Sequence, residues 1–314
     1  MDPLRDILPQ GAYTNLDALL RMRYVANEFT LFARRPSTAI ISGSVRTRFR
    51  GRGMEFEEVR LYQPGDDIRS IDWRVTARTQ VAHTKLFREE KERPVFVLVD
   101  QRASMFFGSQ RCFKSVYTAH LAALLGWAAL AQSDRIGALV FGNNSHRDIR
   151  PRRSKHALLE LLYQIHDFNH RLNSPIAPSG SSTMADMLSD VRRISKPGSA
   201  VFLLSDFHDF DHRCEELLFQ LGRHADVSLF HVFDQLEKQL PQAPSLTISN
   251  GEKRLAVNTM EAKFNQSFTH HFEQRLHHLA KTCSSQAIPL ISANTRSDPI
   301  QLLRDLYGRK KRHA

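Results

Sequence analysis

Two aspartates, Asp100 and Asp206, stand at or just after the ends of short apolar runs of the kind that form buried strands. Ser104 follows Asp100 by four residues, and Thr183 directly precedes a predicted helix. In open α/β sheets, ligands bind beyond the carboxyl ends of the strands, and Mg²⁺ is held mainly by oxygen ligands. The two carboxylates and two hydroxyls are therefore candidate ligands of a hard cation. The alternative is that Asp100 and Ser104 only cap the helices that follow them.

The elements that must position these side chains alternate between strands and helices. Continuous apolar runs are typical of strands that are buried on both faces. The predicted strands are Val95–Val99, Arg135–Phe141, Ala200–Leu204, Val227–Phe233 and Ile288–Ser292, and a hairpin pairs Ser245–Ile248 with Arg254–Val257 around Asn250-Gly251. The predicted helices are Phe113–Gln132, Lys155–Asp167, Met184–Ile194, Glu215–Arg223, Phe264–Lys281 and Pro299–Tyr307. This alternation predicts an α/β fold with a doubly wound, mostly parallel sheet and Val95–Val99 as its central strand.

The N-terminal part of the chain has a different pattern. Apolar spacing in Asn15–Arg35 predicts a helix that Thr14 or Asn15 caps and that Pro36 ends. The following Ser42–Arg93 is rich in Arg and Gly and predicts a small β segment.

Within that β segment, Gln63–Asp67 predicts a turn and Val81–Leu86 a strand. We therefore predict two domains. Residues 1–92 comprise the N-terminal helix and the small β segment, and residues 93–314 comprise the α/β domain with a basic tail at Arg309–Arg312.

Length, charge and cysteine content narrow the class of protein. The 314 residues carry a formal net charge of +11, which favours acidic partners such as nucleic acid, an anionic membrane surface or an acidic protein. The three cysteines are far apart and form no CxxC, which argues against a disulfide framework or a zinc site and suits a reducing compartment. Met1–Gln10 lacks the apolar run of a signal peptide, and Leu121–Ala131 is too short to cross a bilayer. We expect a soluble cytoplasmic protein.

A long part of the N-terminal region resembles a known family signature. The runs Gly51–Phe56 and Tyr62–Trp73, followed by Ala77-Arg78, are similar to the signature of the bacterial family called domain of unknown function 58. The resemblance implies that this segment is joined to a von Willebrand factor A-like domain. It also implies a MoxR-type AAA+ ATPase as partner, because genes of the family commonly neighbour those of such ATPases.

The same resemblance gives the strand-end residues a more specific meaning. Von Willebrand-type domains carry a metal-ion-dependent adhesion site, written DxSxS, with a threonine and an aspartate from later segments. Here Asp100 and Ser104 match the first element, Arg102 stands in place of its first serine, and Thr183 and Asp206 match the later positions. A guanidinium is always protonated. The resemblance therefore implies that Arg102 pairs with Asp100 or Asp206 in the place of the metal ion, that Mg²⁺ binds weakly or not at all, and that Arg102 is available to a partner's carboxylate.

The charged residues around Trp73 in the signature segment have two interpretations. They are Asp66, Asp67 and Asp72, interspersed with Arg69, Arg74 and Arg78. In the functional interpretation, the aspartates and Trp73 form a docking surface for a partner. In the structural one, the charges form a salt-bridge network that joins the segment to the larger domain, and the turn chemistry of Pro64-Gly65-Asp66 favours this second interpretation.

One further cluster, Asp206–His212, gathers aspartates and histidines after a strand and raises the alternative of a metal-dependent hydrolase. The simpler interpretation is a solvated loop in which Asp211 caps the next helix.

Taken with the resemblance, these patterns predict a non-enzymatic protein-interaction or adaptor module without a cofactor. Its predicted partners are a MoxR-type ATPase and another protein of the complex that the two assemble or activate. A nucleic-acid-associated basic protein is the other alternative, but no nucleic-acid-binding fold signature is present.

Overall fold

Apolar runs become strands and longer amphipathic segments become helices in the computed structural model, which describes residues 7–31, 54–89, 93–171, 182–249 and 254–308. The strands are β1 (Met54–Leu61), β2 (His83–Glu89), β3 (Pro94–Asp100), β4 (Arg135–Phe141), β5 (His146–Arg152), β6 (Ala200–Ser205), β7 (Asp226–Phe233), β8 (Leu246–Ser249), β9 (Arg254–Val257) and β10 (Leu290–Asn294). The helices are α1 (Leu16–Arg21), α2 (Arg23–Ala26), α3 (Trp73–Thr79), α4 (Lys114–Ala131), α5 (Lys155–Arg171), α6 (Met184–Ile194), α7 (His212–Gly222), α8 (Gln235–Lys238), α9 (Ala262–Ser285) and α10 (Pro299–Tyr307).

The chain divides into two units. The large unit combines Met1–Leu31 with Arg93–Ala314, and the small unit is Phe32–Glu92. The first helices therefore group with the α/β domain, whereas the predicted division placed all of residues 1–92 together. Helices α1 and α2 pack against α4, and there the buried indole Nε1 of Trp127 donates a hydrogen bond to the Leu19 carbonyl oxygen at 3.0 Å.

A six-stranded sheet lies at the centre of the large unit, in the order β10-β7-β6-β3-β4-β5. Neighbouring strands are parallel except at the edge, where β5 runs antiparallel to β4. Helices flank this sheet, which confirms the predicted doubly wound, mostly parallel α/β fold. Strand β3 lies inside the sheet and is buried along almost its whole length, as expected for the predicted central strand.

The strand order determines where a site can form. Counted along the chain within this sheet, the order is 3-2-1-4-5-6, so the winding reverses between β3 and β6. In the register of these two strands, Val99 pairs with Leu204. The residues that follow, Asp100 and Ser205, therefore come level at the carboxyl edge of the sheet. Such a reversal point is where α/β folds open a crevice for ligands.

The hydrophobic core packs on the two faces of this sheet. Helix α4, rich in alanine and leucine, is buried from Lys114 to Ala129. A second cluster joins inward residues of the strands to α6 and α7, with Phe96, Leu203 and Leu218 among its members. Full burial of one such side chain contributes about 1.5–3 kcal/mol. This packing fixes the strand ends as a rigid platform.

Some elements differ from the sequence prediction. The predicted helix over Asn15–Arg35 is two short helices, α1 and α2, as far as Leu31, and Asn15 is its cap: its side chain accepts from the N–H groups of Asp17 and Ala18. Strand β5 was not predicted because its residues are mostly charged and exposed, and it contains Pro151. Charges and proline are typical of an edge strand, which they protect from pairing with another chain.

The hairpin of β8 and β9 confirms the predicted pairing. Four predicted features lie outside the described residues: Pro36, Gly51-Arg52-Gly53, the Asn250-Gly251 turn and the basic tail. The small unit contains the antiparallel pair β1 and β2, in agreement with the predicted β segment. It also contains the unpredicted α3, which is too short to show a helical period. Within the described ranges, no helix is both long and apolar enough to cross a bilayer.

Candidate functional site at the strand ends

Arg102 occupies the crevice between β3 and β6. Its side chain folds back on Asp100, and Nη2 donates to Asp100 Oδ2 at 2.8 Å while Nε donates to both carboxylate oxygens at 3.1 and 3.2 Å. Its other edge faces Asp209, with Nη1 to Oδ2 at 2.6 Å and Nη2 to Oδ1 at 2.9 Å. Nη1 also donates to the Ser182 carbonyl oxygen at 3.3 Å. With 3% of its side chain exposed, the guanidinium is an internal bridge between two carboxylates.

Each partner of Arg102 is positioned by a different element. Asp100 ends β3, where its carboxylate also accepts from the Arg102 backbone N–H at 3.0 Å and from Ser205 Oγ at 2.6 Å. Beyond β6, Phe207 turns the chain with a left-handed φ of 49°, uncommon for an aromatic residue, and buries its ring in the core. Asp209 follows this turn and accepts from the Met184 N–H at the start of α6, at 2.9 Å. The bridge thus connects β3, the segment after β6, and α6.

Electrostatics keep Arg102 and Asp209 ionised. Burial by itself lowers the pKa of Arg102, but the attraction of Asp100 and hydrogen bonds to Asp209 and Asp100 raise it above its already high ordinary value. Burial raises the pKa of Asp209, and the hydrogen bond and charge of Arg102 outweigh that effect, so the pKa is lowered. A charged hydrogen-bonded pair in a low-dielectric setting is strong when complete and costly when one partner is missing.

A second ion-pair network lies beside the first. The Nζ atom of Lys114, at the start of the buried α4, is 2.8 Å from Asp206 Oδ2 and 2.6 Å from Glu237 Oε1. Nδ1 of His208 is 3.1 Å from Asp206 Oδ1. Burial opposes ionisation of both Lys114 and Asp206, yet their mutual attraction raises the pKa of Lys114 and lowers that of Asp206 well below its usual range. The hydrogen bond to Asp206 raises the pKa of His208.

A small cavity of about 70 Å³ adjoins this second network. Asp206 and His208 form one side of it, and Phe210, Phe272 and His231 contribute aromatic walls. Burial lowers the pKa of His231 to about 4, so its ring is neutral at pH 7. The mouth of the strand-end site therefore combines charged groups with an aromatic recess.

The structure brings together some of the predicted residues and separates others. Asp100 and Arg102 are paired, as predicted. Asp206 does not share their crevice: it pairs with Lys114, and Asp209 takes the place that the prediction gave to Asp206. Thr183 is the cap of α6, exchanging hydrogen bonds with Asp186. The Ser104 hydroxyl is buried without a hydrogen-bond partner among the described residues, so it caps no helix.

The donor set does not fit a metal ion. In the crevice, a permanently protonated guanidinium lies against Asp100 and Asp209 where a cation would need their oxygens. Thr183 already donates to Asp186 Oδ2 at 2.7 Å. Across the part of the chain that the structure describes, no cluster of three or more His, Cys, Asp or Glu side chains is arranged to hold a metal.

Arg102 also cannot bind a partner's carboxylate in this arrangement, contrary to the prediction, because its N–H groups all point at Asp100, Asp209 or Ser182. In the Asp206–His212 loop, Asp211 accepts from the Cys214 N–H at 2.9 Å and caps α7, as the simpler interpretation predicted. His212 points to Glu216 on the surface.

The predicted partner-binding residues of the small unit have separate roles. Asp66 accepts from the Gln63 N–H and pairs with Arg60 at 2.7 Å. Asp67 caps the 3-10 turn Ile68–Ser70. Asp72 caps α3, and Trp73, the first residue of that helix, is exposed. The aspartates form hydrogen bonds within their own unit, and Trp73 is exposed as the functional interpretation required.

Ser205, Lys114 and Glu237 were not among the predicted site residues, and Asp209 was predicted only as part of the Asp206–His212 cluster and not as a partner of Arg102. A signal existed for Lys114, since a lysine at the start of an otherwise apolar, buried helix needs carboxylates nearby. Glu237 stands three residues after Asp234 in a capping box, which is also visible in the sequence. Asp209 gives no such signal, because its approach to Arg102 depends on the turn at Phe207.

Comparisons with known proteins place the chain beside uncharacterised relatives. A family model described as "Protein of unknown function DUF58" matches residues 58–278. Uncharacterized proteins of Mycobacterium tuberculosis and Mycobacterium bovis are 26% identical over 250 residues, which cover 79% of this chain and 77% of each relative.

Among solved structures, the conserved hypothetical protein BatB of Bacteroides thetaiotaomicron matches at 13% identity and a TM-score of 0.40, over 68% of this chain and 97% of its own. The manganese-loaded TRAP protein of Plasmodium vivax matches at 17% identity and a TM-score of 0.30, over 44% of this chain and 56% of its own.

Proposed function

The chain belongs to the DUF58 family, and we propose that it is a non-enzymatic protein-interaction module that binds a partner at the strand-end site. The partner proposed is a MoxR-type AAA+ ATPase, with which the chain assembles or activates another complex. The choice of ATPase rests on the family resemblance of the signature segment.

The observation that carries the proposal is the position of Arg102. At the sheet reversal, where α/β folds bind small ligands, this chain places its own guanidinium and saturates it with Asp100 and Asp209. The groups left facing outward are a rim of polar side chains, Thr183, His208 and the outer part of Asp209. A filled crevice with a polar rim suits contact with the surface of another protein.

The hydroxyl–histidine contacts of the large unit give no support for catalysis. Thr14 Oγ1 is 3.0 Å from His166 Nδ1, and Ser195 Oγ is 3.3 Å from His224 Nε2. Within the described residues, no carboxylate is hydrogen-bonded to either ring, and His224 Nδ1 instead donates to the Gln220 carbonyl oxygen. Neither contact therefore forms a triad of the Ser-His-Asp type, in which a carboxylate orients the base.

The aromatic recess beside Asp206 adds an anchoring point. Interfaces owe most of their binding energy to a few side chains in desolvated pockets. An apolar side chain of the partner inserted between Phe210 and Phe272 would lie next to the rim. The polar rim sets the orientation of the partner, and the recess provides a buried apolar contact for it.

The proposal is tested by calorimetric titration of the chain with the purified MoxR-type ATPase of the same organism. His208→Ala removes a rim group and is expected to weaken binding about tenfold. His212→Ala is the matched control, because His212 lies on the same loop, is exposed, and points to Glu216. Binding that is absent in the wild type, or that is weakened equally by both variants, contradicts the proposal. Hydrolysis of ATP or a phosphoester by the chain alone contradicts its non-enzymatic part.

A further inference from the structure

The exposed side of α3 carries a tryptophan, two arginines and an alanine. Trp73, Arg74, Ala77 and Arg78 are exposed and follow the i, i+1, i+4, i+5 spacing of neighbours on one side of a helix. The opposite side faces inward: Val75 and Thr76 are partly buried, and Thr76 Oγ1 accepts from the His83 N–H at the start of β2 at 3.0 Å. We call the four exposed residues the α3 face.

The cations of the α3 face have no acidic partner among the described residues. The nearby carboxylates are already used: Asp66 pairs with Arg60, Asp67 caps a turn, and Asp72 caps α3 and lies 3.6 Å from Lys85. Arg74 and Arg78 stand one turn apart with like charge, which slightly destabilises a helix in isolation. A carboxylate of a binding partner, placed between the two guanidinium groups, would offset this repulsion.

Trp73 provides the apolar part of the surface. Two-thirds of it (66%) is exposed, and it is flanked by arginine. Tryptophan and arginine are the residues most enriched at the energetic centres of protein interfaces. A large indole left in water beside unpaired guanidinium groups is complementary to an apolar side chain next to acidic ones.

We infer that the α3 face docks an acidic, amphipathic helix of a protein partner, with Trp73 against its apolar stripe and Arg74 and Arg78 against its carboxylates. This inference rests on the proposed interaction function and assigns a second contact surface to it. Charge complementarity supports the choice of occupant. A protein is favoured over nucleic acid because the basic charge of this face is limited to two arginines with aspartates close to them in the sequence, whereas binding of a phosphate backbone is driven by many basic contacts.

The test measures by fluorescence anisotropy how a labelled helical peptide of glutamate and leucine binds to the full chain. We expect the wild type to bind, and Trp73→Ala and the double variant Arg74→Glu/Arg78→Glu each to weaken binding about tenfold or more. The control is Arg192→Glu/Arg193→Glu, a double reversal at exposed arginines of α6 in the large unit, which should change the affinity less than twofold. Circular dichroism checks that each variant folds.

Three outcomes overturn the inference: no binding by the wild type, equal losses in the α3 and α6 variants, or tighter binding of single-stranded DNA with the same dependence on Trp73. The peptide assay is independent of the ATPase titration. If the ATPase fails to bind while the peptide binds through Trp73, the proposed partner is wrong and the docking face stands. If the ATPase binds through His208 while the peptide does not bind, only the α3 inference fails.

Discussion

Arg102 and Asp209 form a two-point ion pair across the mouth of the strand-end site, with N–O distances of 2.6 and 2.9 Å. The two residues lie 107 positions apart in the sequence, and their pairing ties the turn after β3 to the loop before α7. Because the other edge of the same guanidinium holds Asp100, removing it would leave two carboxylates without their counter-charge.

Replacing Arg102 with methionine is expected to lower the free energy of unfolding by about 3–5 kcal/mol, since it leaves the buried Asp100 uncompensated. Arg102→Lys should recover only part of this loss, because an ammonium cannot reproduce the two-edged guanidinium geometry. Chemical denaturation measures both values. The control is Arg193→Met, at an exposed α6 position, which should change stability by less than about 0.5 kcal/mol. Equal effects at the two positions would show that the bridge is not a stabilising element.

Isothermal titration with Mg²⁺ should give no measurable binding to the wild type. A divalent cation about 4 Å from the guanidinium would be repelled by roughly 8 kcal/mol at an effective dielectric of about 20. Arg102→Ser removes that charge and should gain weak binding through Asp100 and Asp209, provided circular dichroism shows that the variant folds. Tight binding by the wild type that Arg102→Ser leaves unchanged would refute the view that the arginine stands in place of a metal ion.

Lys114→Met should destabilise the protein by about 3–5 kcal/mol at neutral pH, because its side chain is 1% exposed and holds Asp206 in ionised form. The pH dependence is diagnostic. The lowered pKa of Asp206 contributes stability that is present above its ordinary value of 3.8 and is lost as the pH falls through the folded value. Without Lys114, burial raises the pKa of Asp206 above 3.8, so the carboxylate costs stability as the pH rises above that value, and the deficit of the variant relative to the wild type should shrink at acidic pH. Denaturation at several pH values checks this, with Lys196→Met, at an exposed position, as control.

His208 should make stability depend on pH near neutrality. Its pKa is raised above the ordinary 6.5 by the hydrogen bond to Asp206. The resulting stability is fully present below pH 6.5 and is lost as the pH rises through the folded pKa. Because 41% of the side chain is exposed, solvent screening limits the effect to about 1 kcal/mol or less. Thermal melts of the wild type should show the dependence, whereas those of His208→Gln should not. His212→Gln should behave as the wild type does.

The fold could be predicted from sequence because its signals are local and repeated. Continuous apolar runs such as Val95–Val99 have one stable place, inside a parallel sheet, and the helices between them must cover its faces. The edge strand β5 escaped prediction because an exposed edge is polar by necessity. Helix α3 was not predicted because seven residues are too few to show a helical period.

The site was predictable only in part. The family resemblance implied that Arg102 pairs with Asp100 or Asp206, and the structure shows the pair with Asp100. The choice of Asp209 over Asp206 could not be predicted, because both follow β6 and their directions depend on the left-handed turn at Phe207. The direction of a carboxylate after a turn is set by backbone angles that residue types alone do not specify.

Because each unit contains one of the two tryptophans, intrinsic tryptophan fluorescence can follow the unfolding of each unit separately. The chain contains only two: Trp127 is buried in the large unit with its indole hydrogen-bonded to the Leu19 carbonyl, and Trp73 is exposed in the small unit. An enclosed indole emits at shorter wavelength than one in water. The Trp73→Phe variant therefore carries a single emitter that reports the unfolding of the α/β domain. The Trp127→Phe variant carries one whose quenching by iodide follows solvent access to the small unit.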